Sequence, residues 1–444
     1  MSASCASPRH LRRTSRPQPT ARPRTIRHAN CRRKRPHNTQ DFRSMAKSSG
    51  SSDAQRTSVF IRGGGFANKG AEAMLLTAGA AVRERFPGSG VTASLRPGDQ
   101  ASAQEEGLRY VSPTRAGRLG SILNKVDTAR TLLRCGAMWD VGGYQFSDRW
   151  GAAIPARHVG LARRFRGASK PVVYFPQAWG PFESEGIADA VRRLLDVVTV
   201  AFVRDAASLE WLDRICQGRH PNVREGHDIA WAFRGDGPEV GRGLIDAAFG
   251  GAHAERRTVC VTPNMRMFEK DEPGDAPYGA MMERVCRLIL EREDTRVLLL
   301  GHEIRRGAGR PDDRAACRAL HERLGESDRV AVFDRYATAR EVKSIIGCAS
   351  ATVGSRYHGI VGALAQGVPT AVAGWSHKYD ELMGEFGLKD LLFGTETDPE
   401  GVSAVVSAVV DDDGTMSERL HQTAGRLRAG AEDVLRIATD LLEG

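Results

Sequence analysis

A chain of 444 residues with 41% apolar content and 48 glycines is long enough for two or three folded units of mixed α and β structure. No apolar run approaches the roughly 18 residues that a bilayer-crossing helix needs. The net charge of +10 is concentrated at one end: residues 1–50 hold 13 Lys or Arg and one acid, so the other 394 residues net −2 and give no electrostatic case for a nucleic-acid surface.

The basic tail, proline-rich and without apolar periodicity, reads as a disordered segment over 1–55. It lacks the apolar core of a secretory signal. Three readings stay open: an organelle transit peptide by composition, a nucleic-acid-binding arm, or a gene start placed too early, with Met45 as the true first residue. The eight cysteines form no CxxC pair and no zinc spacing, so they read as reduced core residues of a cytoplasmic protein that holds no metal.

In chain order, Ser58 to Arg62 predicts a strand, followed by the glycine run Gly63 to Gly65 and a helix from about Gly70 to Arg85. Asn68 suits the cap of that helix, and Glu72, four residues on, faces the same turn. Strands are expected at Val91 to Leu95, Ala137 to Val141, Pro171 to Phe175 and Val198 to Phe202, with helical patterns near 119–134, 152–166 and 184–196. Polar groups gather where these strands end: Asp148 after Gly142-Gly143, Gln177 in the stiff run PQAWGPF, and Arg204-Asp205 after Val203. His227 to Phe233 reads as a short strand with Asp228 at its start. Such a gathering at one sheet edge suggests a cleft wall.

Residues 236–255, rich in glycine and charge, read as a linker. The pattern then repeats. Strands are expected at Thr258 to Thr262, Arg296 to Leu300 and Arg329 to Phe333, with helices at 276–292, 312–324 and 338–347. His302 leaves the second of these strands, and 303–314 reads as a mobile loop. The stretch Ala351 to Ala373 is the centre of the chain: an apolar strand, a tight turn at Gly354-Ser355, then an apolar helix from Tyr357 to about Gln366. The plainer reading of Arg356 and His358 is a surface ion pair. Their place at the end of an apolar strand and the start of a helix favours an anion site, which a guanidinium strengthens and an imidazole makes titratable. An anionic, phosphate-bearing donor is expected there. The stretch Gly374 to Lys378, with His377, is placed to touch ligand as well, and a helix over 416–442 is expected to pack back across both halves.

With these motifs in order, the chain resembles the polysaccharide pyruvyl transferase family over roughly Ser58 to Leu392. The likeness rests on NKGAEAML (Asn68 to Leu75), the GG…D element (Gly142 to Asp148), PQAWGPF, VRDAASLEWL, His227-Asp228 and GSRYHGIVGALAQGVP (Gly354 to Pro369). Ala178-Trp179 and the triple glycine depart from the usual pattern, which puts the sugar in doubt rather than the donor. The resemblance implies a GT-B-like pair of Rossmann-like α/β domains facing a cleft, set at 56–235 and 256–395, with 396–444 packing back. It also implies transfer of the pyruvyl group of phosphoenolpyruvate, as co-substrate, to a saccharide or lipid-linked saccharide with release of phosphate. No cofactor is implied, and a lipid-linked acceptor would bring the enzyme to a membrane surface. Arg356 and Arg204 are then expected to grip the donor, with Ser355 and Gly359 beside them, and His358 to act as general acid. Asn68, Glu72, Asp148, Gln177, Asp228, His302 and His377 are candidates to line the cleft or orient the acceptor. Two rivals remain: a GT-B glycosyltransferase using a nucleotide sugar, and a non-enzymatic module whose tail binds nucleic acid.

Overall fold

Val59 and Ile61 point to one side of their strand and Phe60 to the other, and all three are buried. A strand apolar on both faces must be covered on both, which is the condition of a parallel sheet between two helical layers. The computed structural model describes residues 57–112, 117–271, 277–307, 309–374 and 378–443. The basic tail and His377 therefore lie outside the described residues.

The first half holds strands β1 (Val59–Arg62), β2 (Val91–Ser94), β3 (Arg109–Val111), β4 (Ala137–Asp140), β5 (Tyr144–Phe146), β6 (Val172–Trp179), β7 (Val200–Val203) and β8 (Val223–Glu225). They pair in parallel in the order β3-β2-β1-β4-β6-β7-β8, with β5 added beside β6. The second half repeats the design with β9 (Arg257–Thr262), β10 (Thr295–Leu300), β11 (Val330–Phe333), β12 (Ala351–Gly354), β13 (Thr370–Ala373) and β14 (Leu392–Phe393), ordered β11-β10-β9-β12-β13-β14. Each sheet reverses its winding between its first and fourth strands, β1 and β4 or β9 and β12. The loops leaving those strands open a crevice suited to ligands.

The helices that position the crevice are α1 (Lys69–Arg85), α2 (Gly117–Arg134), α3 (Pro238–Ala248), α4 (Asp313–Leu324), α5 (Ala339–Gly347), α6 (Tyr357–Leu364) and α7 (Thr415–Asp440). Three expectations change. The stretch expected as a linker contains α3, which starts at a proline after Gly237 (φ 102) and buries Ile245 among second-half residues. Proline at the first helical position is favourable, and the surrounding glycines had masked the helix. His227 to Phe233 is not a strand: Asp228 accepts from the Ala230 N–H at 2.9 Å and caps a short 3-10 turn, Ile229–Ala232. The 303–314 loop is tied down rather than loose, because Glu303 bridges Asn68, Asp312 caps α4, and Asp313 donates its N–H to Glu303 O.

The two halves are latched directly. Lys69 N donates to His302 O at 3.1 Å and Ile304 N to Ala67 O at 2.8 Å. Glu72, expected to line the cleft, is instead 1% exposed and spends both carboxylate oxygens on structure. One takes the Lys69 ammonium at 2.8 Å; the other accepts the Ala339 N–H at the start of α5, also at 2.8 Å. Lys69 lies over the Tyr336 ring at 4.4 Å. A carboxylate at a helix N-terminus is favourable, and here it joins the halves. Helix α7 adds a strap, lying against α1 and the 229–232 turn on one side and α6 on the other.

Removing one member of a buried ion pair leaves the other uncompensated. Glu72→Ala should therefore lower unfolding free energy by about 3 kcal/mol in urea titrations. Glu72→Gln, which keeps an acceptor for Ala339, should lose less. Equal midpoints for Glu72→Ala and wild type would show that the latch contributes nothing.

Candidate active site between the two halves

Gly354 ends β12 where a side chain could not fit, since a Cβ there would lie 2.4 Å from Thr262 Oγ1 on β9. The ends of β9 and β12 thus touch, and the turn that follows is locked. Ser355 is fully buried, its hydroxyl takes the Tyr278 O–H at 2.8 Å, and its carbonyl accepts the Tyr379 O–H at 2.9 Å. It shapes the turn and does not face the cleft as expected.

Arg356 stands at the cap position of α6. Its fork is filled: Nε donates to Asp313 Oδ2 at 2.9 Å, Nη2 pairs with Asp313 Oδ1, and Glu303 Oε2 lies 3.3 Å away. Asp313 is itself fully buried and accepts the N–H groups of Met265, His302 and Glu303. Arg356 is therefore not the open phosphate grip the sequence suggested. Burial disfavours its charge, but the two carboxylates outweigh this and raise its pKa.

The neighbouring residues carry the meeting of the halves. His358 rests on Gly70 of α1, where an added Cβ would lie 2.1 Å from the ring. Its Nε2 sits 3.5 Å from Asp228 Oδ2, an ion-pair distance too long for a good hydrogen bond, and has no hydrogen-bond partner among the described residues. Asp228, 1% exposed, also receives Arg204 Nη1 at 3.2 Å. The Arg204 guanidinium lies 4.6 Å from the centre of the Tyr357 ring. Arg204 and Asp228 come from the first half, Tyr357 and His358 from the second.

Lys378 completes the group. Its ammonium is 5.6 Å from the Tyr357 ring and 5.0 Å from the Tyr379 ring. Burial, then the charges of Arg204, Arg356 and Arg266, bring its pKa down to about 8. Mutual repulsion among cations marks a region that favours an anion. An open groove of about 590 Å³ adjoins on the second-half side, lined among others by Met267, Tyr278, Tyr379, Phe393 and Thr395. A cavity of about 20 Å³, room for a water, lies between the halves against Lys69, Gly70, His302 and His358.

The remaining candidates divide. Gln177 is fully buried beside Arg204, whose N–H it accepts at 3.2 Å, and neither atom of its amide has a partner among the described residues. His302 is buried against Gly359, where a Cβ would come within 3.2 Å of its ring; burial, then His358, Arg356 and Lys69, hold its pKa well below the usual value. Gly359 thus makes room rather than contacting donor. Asn68 caps α1 through Gly70 N–H at 2.9 Å. Asp148 is away from this group, accepting the Glu183 and Ser184 N–H groups and the Ser184 hydroxyl. Tyr357 is not singled out in the sequence, and Lys378 only as the end of a stretch expected to touch ligand; an aromatic between Arg and His is the signal that could have found the first.

Burial alone would raise the Asp228 carboxyl; the His358 imidazole, then Arg204 and the Ala230 N–H, bring it down to about 2. A depressed carboxyl stabilises the fold fully above the unfolded value of about 3.9, and that contribution is lost as pH falls through about 2. The stability gap between wild type and Asp228→Asn, about 2 kcal/mol near neutrality, should close over that window in urea titrations. A gap independent of pH would show the carboxylate to be uncoupled from its neighbours.

A family model described as polysaccharide pyruvyl transferase matches residues 131–377. Among solved structures, Anabaena HepE in complex with UDP is similar at a TM-score of 0.55 and 13% identity, covering 87% of this chain and 99% of that one. A putative UDP-N-acetylglucosamine 2-epimerase from Listeria monocytogenes gives 0.55 and 14%, over 85% and 93%. The UDP-GlcNAc 2-epimerase from Methanocaldococcus jannaschii gives 0.56 and 8%, over 86% and 99%. At these identities the likeness is one of fold, the GT-B arrangement of two α/β halves about a cleft.

Proposed function

We propose, from the premise that this chain belongs to the polysaccharide pyruvyl transferase family, that it transfers the pyruvyl carbons of phosphoenolpyruvate to two hydroxyls of a saccharide as a ketal, releasing inorganic phosphate. The observation that carries the reading is the junction of Arg204 and Asp228 with Tyr357 and His358, overlooked by Lys378.

Phosphoenolpyruvate carries a carboxylate and a phosphate, so its site needs more than one cation. Arg204, from one half, and Lys378, from the other, both lie against the Tyr357 ring and are the cations we assign to the donor. Arg356, its fork occupied, contributes charge and holds the turn. His358 donates a proton to the methylene carbon, which becomes a methyl group and leaves an oxocarbenium-like centre at C2. One sugar hydroxyl adds to C2 and returns a proton to His358; the second adds as the C2–O bond to phosphate breaks, and its proton leaves with phosphate. Asp228, ionised throughout the physiological range, orients the imidazole and balances its charge as the proton is passed. Gln177, whose amide has no partner among the described residues, is our candidate to receive an acceptor hydroxyl. The acceptor is a free or lipid-linked saccharide of a surface polymer or glycolipid. The reaction belongs to the cytoplasm, where phosphoenolpyruvate is made.

The test is phosphate release on mixing purified protein, phosphoenolpyruvate and a panel of nitrophenyl or lipid-linked sugars. His358→Ala should lower turnover by about two decades or more in protein that still folds, with an unfolding midpoint lowered by the loss of a partner for Asp228. Lys378→Met should mainly raise KM for phosphoenolpyruvate. Wild-type rates in His358→Ala would remove the acid from the account. Release of a nucleoside diphosphate from a nucleotide sugar, without phosphate from phosphoenolpyruvate, would favour the glycosyltransferase alternative.

A further inference from the structure

Of the six large apolar side chains exposed among the described residues, five lie between positions 123 and 150: Leu123, Val126, Leu133, Tyr144 and Trp150. Three of them belong to α2. Leu123, Val126 and Leu133 are spaced by three and seven residues, which puts them in one stripe about 15 Å long. Leu133 is 70% exposed. The inward side of the helix is already used, with Thr131 buried and Leu132 against the first-half core.

The charges on this helix are one-sided. Lys125, Arg130 and Arg134 are exposed, while the single acid of the helix, Asp127, is half-buried and pairs with Arg130 at 3.9 Å. A solvent-facing helix ordinarily mixes both signs and keeps its apolar stripe inward. Among its described side chains this one shows an apolar stripe outward with an excess of exposed cations beside it, the pattern of a helix lying in a lipid headgroup layer. In the segment that follows α2 in the chain, Tyr144 and Trp150, each 42% exposed, are of the residue types that favour the membrane–water boundary, and Arg149 stacks on Trp150 at 5.0 Å. No helix among the described residues is long and apolar enough to cross a membrane.

We infer that the outer face of α2 is a peripheral docking surface for an anionic lipid bilayer. A second copy of this chain fits less well, since a two-fold contact would set Lys125, Arg130 and Arg134 against the same cations of the partner, and interface cores are depleted in charge. Docked there, the first half would bring the cleft to saccharides carried on lipid. The surface assignment does not depend on which group the cleft transfers.

The experiment uses the full chain and vesicles of phosphatidylcholine alone or mixed with phosphatidylglycerol, without phosphoenolpyruvate or acceptor. Wild type should sediment with the mixed vesicles and not with pure phosphatidylcholine. Leu123→Asp/Leu133→Asp should lower that partition at least ~tenfold. Both chains carry the same basic first 50 residues, so the difference isolates α2. Lys125→Glu/Arg130→Glu/Arg134→Glu, at positions that tolerate charge, should lose binding similarly and decides the matter if the aspartate pair fails to fold. Phosphate release with a soluble nitrophenyl sugar should be unchanged in both, which separates a failure here from a failure of the pyruvyl reading. Equal partition of wild type and variants overturns the inference, whether all bind through the tail or none binds. So does a light-scattering mass that halves in the variants while vesicle binding stays the same, since α2 would then join two copies.

Discussion

A buried carboxylate shared between the halves is the constraint on which the site depends. Asp228 caps its own 3-10 turn with one oxygen and presents the other to Arg204 of its own half and His358 of the opposite one. A carboxylate so buried is stable only while those partners stay in place, so the charge that faces the imidazole also ties the halves at the candidate site. The Tyr357 ring supports the Arg204 guanidinium from the other half, and the same ring lies beside Lys378. Cations from both halves can therefore converge without direct contact.

The close approach is made possible by missing side chains. Gly70 lets the helix start pass under His358, Gly359 admits the His302 ring, and Gly354 lets two strand ends touch. Around this lies a rigid frame: the Glu72 latch onto α5, the Asn68–Glu303 bridge and the α7 strap. The geometry around His358 is thus set by contacts that do not involve substrate, which is what the acid role proposed for it would require.

Much of this was legible in the sequence because its signals are local. Apolar strands followed by glycine and a helical period predict the alternation in both halves, and the Arg356-x-His358 turn stands out at a strand end. What stayed hidden depends on distant partners. Glu72 reads as a cleft-facing helix residue until Ala339, 267 positions away, supplies its N–H. Arg356 reads as an open anion grip until Asp313 folds against it from 43 residues upstream. Helix α3 was concealed by glycine-rich surroundings, and the short strands β3, β5 and β8 carry too few residues to show a period. Asp228 was recognised as polar at an edge, but not as a cap, since a 3-10 turn of four residues leaves no repeat to read.

The most direct measurement is a crystal structure of the protein soaked with phosphoenolpyruvate in the absence of acceptor. The account predicts density between the halves, with carboxylate and phosphate oxygens within about 3 Å of the Arg204 guanidinium and the Lys378 ammonium, and the methylene carbon turned toward His358. Phosphoenolpyruvate bound elsewhere, with no atom near His358, would contradict it.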